Sequence, residues 1–225
     1  EAEKFLKDIS GVKFWVTGYD KVVSAIEDLN VLLELEDDDI DSAYDEALKE
    51  LEALELRNML YTAVNTPSPY AIRYPRGCGV GAAWRGEPFE AIPVGRGRKL
   101  HDGEDVALLS IGTMGHFASE ALQRIEAEGR GTVAHYDLRF VKPLDETLLH
   151  EVGKRFKKII TIEDGVLRGG VGEAVVKWFS DNGYTPQVRT LGINDTFVEH
   201  GTPAELYAMC GYDADGVERA IREML

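Results

Sequence analysis

From Asp105 onward, short apolar runs alternate with segments of helical period, and this alternation constrains the fold more than any other feature. Val106–Ile111 is a strand apolar enough to be covered on both faces, and Gly112-Thr113 open a helix that runs to about Glu128. Strands are then expected at Thr132–Asp137, Lys158–Glu163 and Gln187–Leu191, with helices at Asp145–Phe156 and Val171–Asn182 between them. Two short helices near 203–209 and 214–224 close the chain. Strands buried on both faces need a helix layer on each, so residues 105–225 are expected to form a three-layer α/β domain with a mainly parallel sheet.

Residues 1–57 differ from the rest in charge. They hold 17 acidic and 6 basic side chains, so most of the net charge of −15 falls in this quarter of the chain. An acidic surface repels phosphate backbones, which argues against a nucleic-acid partner. Cys78 and Cys210 are 132 positions apart with no ligand-like spacing, so two reduced thiols are expected, with no disulfide and no metal site. No apolar stretch reaches the ~20 residues that span a bilayer. The first residues are acidic where a secretory leader is basic and then apolar, and the expectation is a cytoplasmic protein without a membrane partner.

Within residues 1–60 the pattern is that of an antiparallel helical hairpin. Trp15, Tyr19, Val22, Ile26, Leu29 and Leu33 follow at spacings of 4, 3, 4, 3 and 4, which is a coiled-coil stripe. After the acidic run Glu36–Asp41, Ser42 and Asp45 form a capping pattern, and Ile40, Tyr44, Ala47, Leu51 and Leu54 repeat the spacing. This segment resembles the N-terminal helical domain of bacterial peptide chain release factor 2, most clearly at Ala25–Leu35 and Leu54–Leu60. That family's Gly-Gly-Gln and Ser-Pro-Phe motifs are absent, so the resemblance implies a helical appendage only.

Residues 61–104 carry two prolines at Thr66–Pro69, an apolar run Ala71–Tyr74 ended by Pro75, and glycines at 77, 79, 81, 86, 95, 97 and 103. The reading is a short strand at Ala71–Tyr74, then a glycine-rich linker with one short strand at Ala91–Val94. Arg76 follows the proline on a stiff backbone, and its planar fork suits a phosphate oxyanion. The alternative for Arg76 is to cap turn carbonyls or to pair with a nearby carboxylate.

Three motifs in one order, Tyr70-Ala-Ile-Arg-Tyr-Pro-Arg-Gly77, Arg139-Phe-Val-Lys-Pro-Leu-Asp-Glu146 and Phe197-Val-Glu-His-Gly-Thr202, resemble the last third of the 1-deoxy-D-xylulose-5-phosphate synthase family. The resemblance runs from about Glu55 to the C-terminus. It implies the end of a pyrimidine-binding domain followed by a transketolase C-terminal α/β domain, whose five-stranded, mainly parallel sheet has one antiparallel edge strand. By the same resemblance, Arg76 binds the phosphate of D-glyceraldehyde 3-phosphate, and the C-terminal domain supports a homodimer. The family is a thiamine-diphosphate and Mg2+-dependent transferase group that feeds isoprenoid and thiamine synthesis. Its Gly-Asp-Gly…Asn element and activating carboxylate lie before the Tyr-Pro-Arg-Gly strand. No Gly-Asp-Gly occurs here, so neither cofactor is expected to bind this chain alone, and no catalytic residue is assigned. Glu55–Leu60 fits both resemblances, and the chain reads as a chimera joined at that string, with a natural insertion as the alternative. The functional readings are a truncated synthase inactive by itself, a non-catalytic dimerising module, or one half of a split transketolase-like enzyme.

Other candidates read as structural. Gly169-Gly-Val-Gly172 follows a strand and opens a helix, a topology that can hold an anion, but Arg168 stands at the first position of a GxGxxG pattern. Close helix–sheet packing is the preferred reading. Glu199 and His200 read as residues that fix the loop before a helix capped by Thr202. His101, His116, His135 and His150 have no ligand-like spacing and are expected to be packed or solvated.

Overall fold

The computed structural model describes residues 54–74 and 88–225. The hairpin expected at residues 1–60 therefore lies outside the described residues except for its last turns, as does Arg76. The chain divides into two units, Glu1–Pro93 and Val94–Leu225.

In the first unit a helix covers residues 54–65 (α1). Its Arg57, Asn58 and Thr62 are buried and serve the backbone of residues 88–92. Thr62 Oγ1 accepts from Ile92 N at 2.7 Å, Asn58 Oδ1 accepts from Glu90 N at 3.3 Å, and Arg57 donates to the Pro88 carbonyl at 2.6 Å. The expected strands at Ala71–Tyr74 and Ala91–Val94 are not formed among the described residues. Ile92 spends its N–H on a side-chain hydroxyl of α1, so that donor is lost to any ladder.

The second unit contains a five-stranded sheet of order β1-β3-β2-β4-β5, with β1 Arg98–His101, β2 Val106–Ser110, β3 Val133–Asp137, β4 Lys158–Val166 and β5 Gln187–Ile193. All neighbours are parallel except β1, which runs antiparallel to β3. Five helices accompany the sheet: α2 Met114–Ala127, α3 Glu146–Arg155, α4 Val171–Asp181, α5 Pro203–Cys210 and α6 Ala214–Met224. The mainly parallel sheet and its single antiparallel edge agree with the expectation. β1, however, comes from the stretch read as linker. It is a mostly exposed Arg-Lys-Leu-His segment that pairs through its backbone and buries little, so it has no apolar signature.

Alternation along the strands creates two cores. Val106, Leu108, Ile160 and Ile162 point to one face and pack with Ala118, Leu122 and Ile125 of α2 and Val217, Ile221 and Met224 of α6. Ala107, Leu109, Tyr136 and Ile159 point to the other face and pack with Leu149 and Val152 of α3 and Val175 and Phe179 of α4. The helix ends are set by sequence. Asp145 caps α3 by accepting from Leu148 N at 3.0 Å. Asp213 caps α6 through Gly216 N at 3.0 Å. Thr202 and Glu205 form a reciprocal capping box at α5, as Thr202 predicts, and Gly211 ends that helix at φ 74°. Among the described residues no helix is long and apolar enough to cross a membrane.

Candidate functional site

In an open α/β sheet, ligands favour the carboxyl ends of strands where successive connections diverge. Here β2 leads through α2 to β3 on one side, while β4 leads through α4 to β5 on the other. The divergence lies between β2 and β4, and the turn after β4 carries the glycine-rich segment Gly169–Gly172.

That helix start is filled from within. Glu163 is buried near the end of β4, and its carboxylate accepts from Val171 N at 2.9 Å and Gly172 N at 2.8 Å. A side chain carbon at Gly170 would stand 2.5 Å from Glu163 Oε2, and one at Gly172 would stand 2.6 Å from Thr161 Oγ1 and 2.8 Å from Thr190 Cγ2. The glycines therefore permit close packing of α4 on the sheet, the reading preferred from sequence. A fixed negative charge already occupies the positive end of the helix. Asp164 beside it accepts from the hydroxyl of Tyr212 at 3.1 Å, and burial followed by the Asp164 charge pushes that phenol up. Arg168 pairs with Asp195 at 3.0 Å, tying the loops that follow β4 and β5.

On the other side of the divergence, three residues separated in sequence converge. Ser110 Oγ of β2 lies 2.8 Å from His135 Nε2 of β3, and Ser119 Oγ of α2 lies 3.4 Å from the Nδ1 of the same ring. The His–Ser distance would suit a base and a nucleophile. Ser110 and His135 are both buried, however, and the outer ring nitrogen faces a hydroxyl where a catalytic histidine would meet an orienting carboxylate. Burial, then the charges of His101 and Arg98, push the His135 imidazole down to about 4. It is a neutral brace between the sheet and α2. Ser110 and Ser119 escaped the sequence reading because nothing in a 25-residue spacing signals a contact across two strands.

The remaining candidates fall in separate places. His101 Nδ1 lies 3.2 Å from the Val133 carbonyl, and its Nε2 lies 3.5 Å from Glu126. His150 Nδ1 lies 2.9 Å from the Tyr184 hydroxyl, and its ring stands edge-on to Trp178 at 4.7 Å. Glu199 and His200 are exposed in the loop before α5. Arg139 adopts φ 57°, with its N–H donated to Asp137 Oδ1 at 3.0 Å, while Asp137 Oδ2 accepts from Arg98 at 3.1 Å. The motif Arg139–Glu146 thus builds the turn from β3 to the cap of α3.

Among the described residues no group of three or more His, Cys, Asp or Glu side chains is placed to hold a metal ion. With Glu163 seated on the α4 terminus as well, the described residues do not fit the Mg2+-diphosphate group implied by the sequence resemblance. Glu163, Asp137 and Asp145 each spend a carboxylate on backbone N–H groups of the second unit itself.

Comparison with known proteins agrees with this architecture. The family model described as "Transketolase, C-terminal domain" matches residues 95–217. A 1-deoxy-D-xylulose-5-phosphate synthase of Bacteroides fragilis is 52% identical over 168 residues, covering 74% of this chain and 26% of the relative. The synthase of Bacteroides thetaiotaomicron is 53% identical over the same length and shares. This chain thus spans about a quarter of the length of these curated relatives. A solved structure titled "Split gene transketolase, inactive beta4 tetramer" is similar at 34% identity and a TM-score of 0.56, covering 62% of this chain and 45% of that one. A family match over more than half of the chain, on a sheet of this order, means that the chain belongs to the transketolase C-terminal domain family.

Proposed function

We propose that this chain supplies the C-terminal part of a 1-deoxy-D-xylulose-5-phosphate synthase and is catalytically silent alone. The family reaction joins pyruvate to D-glyceraldehyde 3-phosphate, releasing CO2 and forming 1-deoxy-D-xylulose 5-phosphate. The observation that carries this reading is identity above 50% to two such synthases over 168 residues. In this role Arg76 binds the aldehyde's phosphate, the α/β unit supports a cytoplasmic homodimer, and residues 1–60 are an appended release-factor-like hairpin. Thiamine diphosphate and Mg2+ would supply the carbanion chemistry from residues outside those described here.

The split-enzyme version is favoured by one observation. A similar chain of known structure is titled as the product of a split transketolase gene and as inactive when assembled from β chains only. On that reading the cofactor-binding portion is a separate polypeptide. The test is to assay this chain with pyruvate, D-glyceraldehyde 3-phosphate, thiamine diphosphate and Mg2+, alone and beside the N-terminal portion of the Bacteroides fragilis synthase. Product is expected only from the mixture. Product from this chain alone would overturn the reading, as would an inactive mixture in which the two polypeptides are shown to be bound.

A further inference from the structure

We draw no further inference here: the strongest candidate, the open hollow on α3 lined by Thr147, His150, Glu151, Lys154 and Tyr184, carries nothing, because His150 and Tyr184 are spent on one another at 2.9 Å and nothing among the described residues shows what covers it.

Discussion

The carboxylate of Glu163 holds the N–H of Gly172 at 2.8 Å, and with the Val171 N–H at 2.9 Å this ties the first turn of α4 to the end of β4. Hydrogen bonds to a charged group contribute about 1.5–3 kcal/mol each in a buried setting, with incomplete additivity. Glu163→Ala should therefore lower stability by about 2–3 kcal/mol, read as a lower urea midpoint. Gly172→Ala should cost about 1–3 kcal/mol, since the added methyl meets Thr161 and Thr190 at under 3 Å. An unchanged midpoint for Glu163→Ala would show that the contact carries no stability.

His135 predicts a pH dependence. Its folded-state value is about 4 against an ordinary 6.5, because burial and the charges of His101 and Arg98 disfavour the imidazolium. The unfolded chain therefore binds a proton that the folded chain refuses. Stability is complete above pH 6.5 and falls as pH drops from there toward 4, by about 2 kcal/mol at pH 5 and about 3 kcal/mol in all. Urea midpoints at pH 7 and pH 5 check this, and His135→Gln should flatten that part of the profile. Parallel profiles for the two proteins would contradict the assignment.

The edge strand sets where the second unit can be cut. Removing residues up to 104 takes away the β1–β3 ladder, the Arg98–Asp137 pair at 3.1 Å and the Gly97 N–H that Asp145 accepts at 3.0 Å. A fragment of residues 94–225 is expected to unfold cooperatively. A fragment of residues 105–225 should be less stable by at least about 2 kcal/mol and should self-associate through the bared edge of β3. Equal urea midpoints and monomeric elution for both fragments would show β1 to be dispensable.

For Arg76 the prediction is kinetic. A charge-assisted arginine–phosphate contact contributes about 1.5–3 kcal/mol. In the complemented enzyme Arg76→Ala should raise KM for D-glyceraldehyde 3-phosphate roughly ten- to a hundredfold and leave pyruvate affinity unchanged. Arg76→Lys should recover part of the loss, since a point charge cannot reproduce the bidentate fork. A parallel rise in both KM values with a lower melting temperature would make Arg76 a scaffold residue.

The α/β scaffold was legible because its signals are local. The apolar runs of β2 and β4, the Asp145 and Thr202 caps and the glycines before α4 each act within a few residues, where steric and capping rules apply directly. β1 was not legible, since an edge strand is held by the backbone of a partner 34 or more positions away and leaves no apolar trace. For Gly169–Gly172, sequence limited the choice to anion cradle or packing device, and tertiary structure decided it by bringing Glu163 onto the two N–H groups. Tertiary structure alone brought Ser110, His135 and Ser119 together, because their contact depends on the parallel register of β2 with β3. The burial of Arg57, Asn58 and Thr62 on α1 has the same origin. Sequence supplies both faces of that helix, but which of them turns inward is decided by where residues 88–92 lie and which side chains can satisfy their backbone.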